Sequence, residues 1–282
     1  MIKFFTKSAI ALALAASGTA FAAPTTIDLF SVDQYVSVDR NQTCVGIGLC
    51  AARMPTGSNF AGSVSSSAVD AAIPSSIIGT ERDVAITQAS GLTAINGAEA
   101  FVDSGLFTIN NDTGVISTVI VQWDGADNSG SLDTNGLGGV DLLNGTGDAL
   151  NSYFSVDVES ADHGFNFTID IYDMSGAHSF ITLISNAHPV PATTSISLDA
   201  FVFPGTCAAL VMSGFGTAEC SIDPLLNLED VGAIQVKFVG TQAALDMSLD
   251  QLTTTVPEPG ALALVGAALA GVGFASRRRK AA

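Results

Sequence analysis

Positive charge is what this chain has least of: ten lysines and arginines stand among 282 residues, against 27 aspartates and glutamates. Six of the ten, Lys3, Lys7, Arg277, Arg278, Arg279 and Lys280, lie at the two ends. Glu258 is the one acidic residue of the tail, so residues 23–256 set 26 acidic side chains against Arg40, Arg53, Arg82 and Lys237, a formal charge of 4 minus 26, or −22. A body of that sign repels nucleic acid and anionic lipid, which excludes nucleic acid as a partner. It suits solubility outside the cell, and equally the loading of divalent cations.

Other absences narrow the chemistry. There is no Gly-x-Ser-x-Gly elbow and no His-Glu-x-x-His, so neither the serine-hydrolase turn nor the zinc-peptidase helix has its residues. No Cys-x-x-Cys occurs, which leaves a zinc knuckle or a thioredoxin-type site without ligands at the needed spacing. The three histidines, His163, His178 and His188, match no metal-ligand spacing and read as surface residues. Paired carboxylates at glycosidase distance carry no information, because among 26 acidic residues some pair always falls at that separation. No residue carries a catalytic assignment, and the chain reads as non-enzymatic.

Each end carries a recognisable pattern. Lys3 and Lys7 form a positive region, Ala9–Ala16 an apolar one, and Ala20-Phe21-Ala22 a small-x-small cleavage site, with the cut expected after Ala22 or Ala23. This is the pattern of a secretory signal removed by signal peptidase over residues 1–23. At the far end, Val256, Pro257, Glu258 and Pro259 precede an uncharged stretch from Gly260 to Ser276, closed by Arg277, Arg278, Arg279 and Lys280. The basic cluster resists translocation and sets that end on the cytoplasmic side of the inner membrane. As a helix, Gly260–Ser276 spans about 25 Å, slightly short of a ~30 Å hydrocarbon core, a marginal transmembrane helix.

This order of parts resembles the PEP-CTERM sorting signal of Gram-negative bacteria, also known under an ice-binding protein C-terminal label that implies no ice binding here. The resemblance implies export, transient anchoring in the membrane, and recognition by an exosortase that cleaves near Pro257-Glu258-Pro259 and releases or transfers the body to the cell surface or extracellular matrix. More loosely, Gly79–Asp83, Gly136–Asp141 and Asp230–Ile234 are similar to segments of other exported proteins bearing such tails. They carry no known catalytic residues.

Between the ends, apolar residues recur at every second position, the period of a strand with one buried face. Phe154, Val156 and Val158 alternate with polar neighbours, as do Phe165, Phe167, Ile169 and Ile171; Ile196, Leu198, Ala200 and Val202; Ile234, Val236 and Phe238; and Leu245, Met247 and Leu249. Val119, Val121 and Trp123 join them. No long 3.6-residue period and no fixed repeat is present, which argues against parallel βαβ architecture and a solenoid. The expected fold is all-β, an antiparallel β-sandwich of jelly-roll type over residues 24–250, with a barrel or β-helix as alternatives. Arg53–Gly79 reads as a surface excursion and residues 251–256 as a stalk to the sorting segment at 257–280.

Four cysteines in an exported chain imply disulfides. Three pairings are open; Cys44 with Cys50 and Cys207 with Cys220 is favoured because each closes a short glycine-containing loop. Asp124, Asp127, Asp133, Asp141 and Asp148, with interleaved asparagines and glycines, offer the oxygen donors a hard cation such as Ca²⁺ takes. The spacing is not that of an EF-hand, and solvated turns are the competing reading. Trp123, Tyr153 and Tyr172 suggest a sugar-stacking platform, a lectin-like module binding extracellular polysaccharide, although Trp123 falls in phase with the core.

Overall fold

The computed structural model describes residues 25–38, 43–45, 50–51, 59–71, 75–93, 96–209 and 219–256. The expected signal segment with Ala20, Ala22 and Ala23, and the tail from Pro257 onward, lie outside these residues. Among the described residues no helix is long and apolar enough to cross a membrane.

Among the described residues, sixteen strands form two antiparallel sheets. They are β1 (Thr25–Asp28), β2 (Gln34–Val38), β3 (Thr43–Val45), β4 (Cys50–Ala51), β5 (Asn59–Val69), β6 (Glu81–Ser90), β7 (Ala98–Asp103), β8 (Leu106–Asn111), β9 (Ile116–Trp123), β10 (Tyr153–Ala161), β11 (Phe165–Asp173), β12 (His178–Ser185), β13 (Ala192–Ser197), β14 (Glu219–Ser221), β15 (Val231–Gly240) and β16 (Asp246–Thr255). The nine-stranded sheet runs β13-β10-β16-β8-β7-β2-β3-β4, with β1 also on β16; the seven-stranded sheet runs β14-β12-β11-β15-β9-β6-β5. The only α-helix among the described residues, α1, is the single turn Pro204–Ala208. The expected β-sandwich is therefore present, and the chain passes repeatedly from one sheet to the other.

Period-two burial is what makes it a sandwich. β11 buries Phe165, Phe167, Ile169, Ile171 and Asp173 and leaves the alternate residues half-exposed. Phe238 of β15 meets Phe167 at 5.1 Å and Phe165 at 6.3 Å between ring centroids, and crosses to Phe107 of β8 at 5.8 Å. Phe107 in turn stacks on Phe30 at 5.5 Å. Such pairs add ~0.5 to 1.5 kcal/mol each beyond the area they bury, and this chain of rings joins the two sheets.

One polar network crosses the same core. Arg82 of β6 and Asp28 of β1 are both fully buried, and the guanidinium donates to both carboxylate oxygens at 2.9 and 3.0 Å. Arg82 also donates to Gln34 Oε1 and to the Val32 carbonyl, while Trp123 Nε1–H and the Phe30 N–H complete the shell of Asp28. Trp123 is thus a core residue with its one polar atom satisfied. Burial pushes the Asp28 carboxyl up from its usual range, and the charge of Arg82 with the donated hydrogen bonds works against it.

Three expectations change. Ile196–Val202 is a strand only to Ser197; a 3-10 turn follows at Leu198–Phe201, and its four residues are all buried, so alternation cannot hold there. Arg53–Gly79 contains β5, whose serine-rich run pairs with β6 from Asn59 to Val69. The stalk at 251–256 is not a stalk: β16 continues to Thr255, pairs with β10 up to Tyr153 opposite Thr255, and leaves Val256 fully buried.

A disulfide joins Cys207 in α1 to Cys220 in β14, with 6.5 Å between Cα atoms. It ties the edge of the seven-stranded sheet to the turn that follows β13 of the other sheet. The strand register sets Cys44 opposite Cys50.

Candidate functional site: a carboxylate cluster under the β9–β10 loop

The 29 residues from Asp124 to Ser152 join β9 to β10 across the two sheets, long for a connection without strands of its own. The loop is anchored: Leu142 and Leu143 are buried, Leu142 N–H donates to the Leu228 carbonyl, and Val140 forms an isolated bridge with Val231. Its first part folds back on the seven-stranded sheet. Leu137 N–H donates to the Gly232 carbonyl at 2.9 Å. A Cβ on Gly136 would stand 1.5 Å from the Asp124 carbonyl oxygen, and one on Gly130 2.3 Å from Ser65 Oγ of β5, so the backbone there lies closer than any other residue allows.

What the loop covers is acidic. In β6 the strand period sends Arg82, Val84 and Ile86 to the core and Glu81 and Asp83 to the opposite face. On that face they ought to be exposed, yet Glu81 is 0% and Asp83 1% exposed, and Asp124 at the end of β9 is 1% exposed. Carboxylate oxygens of Glu81, Asp83 and Asp127 lie within 4.8 Å of one another. Asp124 lies beside Asp83.

Each carboxylate uses one oxygen on a protein donor. Glu81 Oε2 accepts from Asn128 N–H at 3.0 Å, Asp83 Oδ1 from the Ser67 hydroxyl, Asp124 Oδ2 from Asp133 N–H at 2.7 Å and Asp127 Oδ1 from Ser129 N–H at 2.8 Å. The other oxygens of the buried three, Glu81 Oε1, Asp83 Oδ2 and Asp124 Oδ1, are buried without any hydrogen-bond partner. None of the ion pairs among the described residues reaches them, since those pairs are Arg82 with Asp28, His163 with Asp162 and His178 with Asp170.

This arrangement is electrostatically unfavourable as it stands. Two ionised carboxylates no more than 4.8 Å apart repel by at least ~3 kcal/mol at an effective dielectric of about 20. Burial pushes Asp83 up to about 7, the Ser67 hydroxyl holds it back, and the charges of Asp124, Glu81 and Asp127 push it further. Asp124 is raised to about 6, again by burial first, with Asp133 N–H opposing and Asp127 and Asp133 adding repulsion. Asp173 shows the contrast: buried as well, it accepts from Ser175 N–H and hydroxyl, Ala177 N–H and Asn227 N–H, and is held below the usual range.

Of the five aspartates singled out in the sequence, three belong here. Asp124 and Asp127 contribute carboxylates, while Asp133 contributes its backbone N–H and turns its own Oδ1 to Asn135 N–H. Asp141 and Asp148 do not converge on the cluster. Asp141 accepts from Leu143 and Gly145 N–H groups within its own turn, and Asp148 holds Asn151 by backbone and side chain. Glu81 and Asp83 were missing from the sequence reading of the site, although the Glu-Arg-Asp order at a strand start places two acids on one face.

Elsewhere, Tyr172 stacks on His178 at 4.1 Å with the rings within 5° of parallel, and His178 neighbours Phe180 at 6.1 Å. All three are half-buried on the outer face of the seven-stranded sheet, and Asp170 bonds His178 Nε2 at 2.9 Å. Tyr153 lies on the other sheet, 37% exposed, so the three-aromatic platform does not assemble. A shallow groove of about 250 Å³ lined by Asp157, Glu159, Thr193 and Asp250 runs along β10 and β13, apart from the carboxylate cluster.

The PEP-CTERM protein-sorting motif matches residues 255–280. No curated protein matches the chain. Among solved structures, it is similar to PfGH50B, at 12% identity and a TM-score of 0.37 over 57% of this chain, and it spans only 22% of that one. It is also similar to the family 11 carbohydrate-binding module of the cellulosomal cellulase Lic26A-Cel5E of Clostridium thermocellum, at 8% identity and a TM-score of 0.35, covering 84% of this chain and 96% of that one.

Proposed function

We infer that the motif at residues 255–280 makes this an exported protein sorted by an exosortase. We propose that the sandwich it carries is a non-enzymatic component of the cell surface or extracellular matrix, exported with the help of signal peptidase, held in the inner membrane by its tail, and then processed. The observation that carries this is the position of the motif, which begins where β16 ends, so the whole sandwich precedes the cut. Its acidic body favours contact with polysaccharide or cations over nucleic acid.

A second reading, a lectin-like carbohydrate-binding module, is favoured by the Tyr172, His178 and Phe180 stack, since flat apolar rings beside polar groups are what a sugar face packs on. Glycan-array binding of the full-length protein in detergent, with Ca²⁺ and with chelator, separates the two. A matrix component gives no saturable glycan signal. Saturable binding lost in Tyr172→Ala establishes the module instead.

A further inference from the structure

We propose that Glu81, Asp83, Asp124 and Asp127 form a binding site for a single hard divalent cation of the Ca²⁺ class, which fastens the β9–β10 loop to the outer face of β6. This goes beyond the sorting and surface role and does not depend on it.

Three observations carry it. The converging donors, from Glu81, Asp83 and Asp127, are all carboxylate oxygens, with Asp124 next to Asp83 and no histidine or cysteine among them, the ligand set of Ca²⁺ rather than of zinc or copper. Three of the four side chains are at least nine-tenths buried, and each holds one oxygen that no protein donor reaches. Finally, each carboxylate is already oriented by a hydrogen bond to its other oxygen, so one free oxygen per residue is presented in a fixed direction. Buried oxygens left bare cost free energy unless something positive meets them, and no basic side chain among the described residues pairs with them. Asp127, the exposed member, leaves an open side for entry and for water ligands.

The site also explains the shape of the loop. Asp124 and Asp127 come from the loop's first turn and Glu81 and Asp83 from the strand beneath it, so a bound ion links segments more than 40 residues apart. The close backbone approaches at Gly130 and Gly136 bring the loop down far enough for this.

Trp123, the chain's one tryptophan, immediately precedes Asp124, which provides a test in the full-length protein. After chelation, Tb³⁺ luminescence sensitised by tryptophan excitation is expected to rise saturably, to be displaced by Ca²⁺, and to be displaced less readily by Mg²⁺. Calorimetry with CaCl₂ is expected to give one site, weakened at least about 100-fold in the double variant Asp83→Asn/Asp124→Asn, the upper end of what losing even a supporting partner costs. Asp141→Asn is expected to bind as the unchanged protein does. In chelator the double variant is expected to melt above the unchanged protein, because repulsion is relieved, and in saturating Ca²⁺ below it. A variant that fails to fold would break this crossing, and Glu81→Gln provides the same comparison from the other end of the cluster. Absence of saturable Ca²⁺ or Tb³⁺ binding, equal binding by the variants, or melting curves indifferent to Ca²⁺ overturn the proposal in favour of a proton shared by Asp83 and Asp124.

Discussion

Two neighbouring residues of β6 show how one strand period produces opposite electrostatic outcomes. Arg82 points into the core and is fully compensated by Asp28, Gln34 and the Val32 carbonyl. Removing it leaves the Asp28 carboxylate buried without its countercharge, so Arg82→Met is expected to cost about 3 to 5 kcal/mol in urea unfolding. A loss below about 1 kcal/mol would show that Asp28 is held well enough by Trp123 and Phe30 alone. Asp83, one residue on, points outward into other carboxylates and is raised to about 7, with Asp124 at about 6. Both groups hold protons in the folded chain that the unfolded chain releases near pH 4. Cation-free protein is therefore most stabilised by them at or below that pH and loses the contribution as pH rises from about 4 through 7. In chelator, the urea midpoint should fall between pH 5 and pH 7.5, a trend that self-repulsion of the acidic body reinforces. A midpoint that is level or rising across that interval would contradict the coupling of Asp83 and Asp124.

At the scale of elements, the strands that alternate cleanly were legible in the sequence because one face of each packs on the core. Phe154, Val156 and Val158 of β10 and the four apolar residues of β11 are buried as their spacing implies. Where a segment is buried on more than one side, or is polar throughout, period two is silent. Leu198–Phe201 is buried residue by residue and forms a 3-10 turn; Ser65, Ser66 and Ser67 of β5 and Thr253 and Thr254 of β16 are strand residues without an apolar stripe. The candidate site divides in the same way. Asp124, Asp127 and Asp133 stand out locally as an Asp/Gly-rich loop, whereas Glu81 and Asp83 reach it only through the pairing of β6 with β9, which sets Asp83 opposite Gln122. No local pattern encodes that partnership. The favoured pairing of Cys207 with Cys220 was legible from the short loop it closes, and its effect is again long-range. With its ends 13 positions apart in sequence, the bridge is expected to contribute roughly 2 to 3 kcal/mol. Cys207→Ser/Cys220→Ser should lose that much in urea unfolding, and a change within about 0.5 kcal/mol would mean that β14 is held by its pairing with β12 alone.

The whole molecule is a sandwich with its sorting motif set directly against its last strand. β16 is an interior strand, bonded to β10 and β8 and flanked by β1, and it runs to Thr255 with Val256 buried behind it. No stalk separates the folded body from Pro257, so an anchored molecule carries its sandwich close against the membrane. A cut inside β16 would remove residues that pair with Tyr153 and Thr25, whereas a cut at or just after Val256 leaves every strand complete. Every strand pairing of β16 among the described residues lies before Pro257, so processing there is expected to leave the sandwich folded. The most direct measurement is mass spectrometry of the C-terminal peptide of the protein taken from its native cells. A dominant peptide ending between Val256 and the start of the apolar stretch at Gly260 is the predicted result; a dominant peptide still ending at Ala282 would contradict processing and leave a plain membrane-anchored protein.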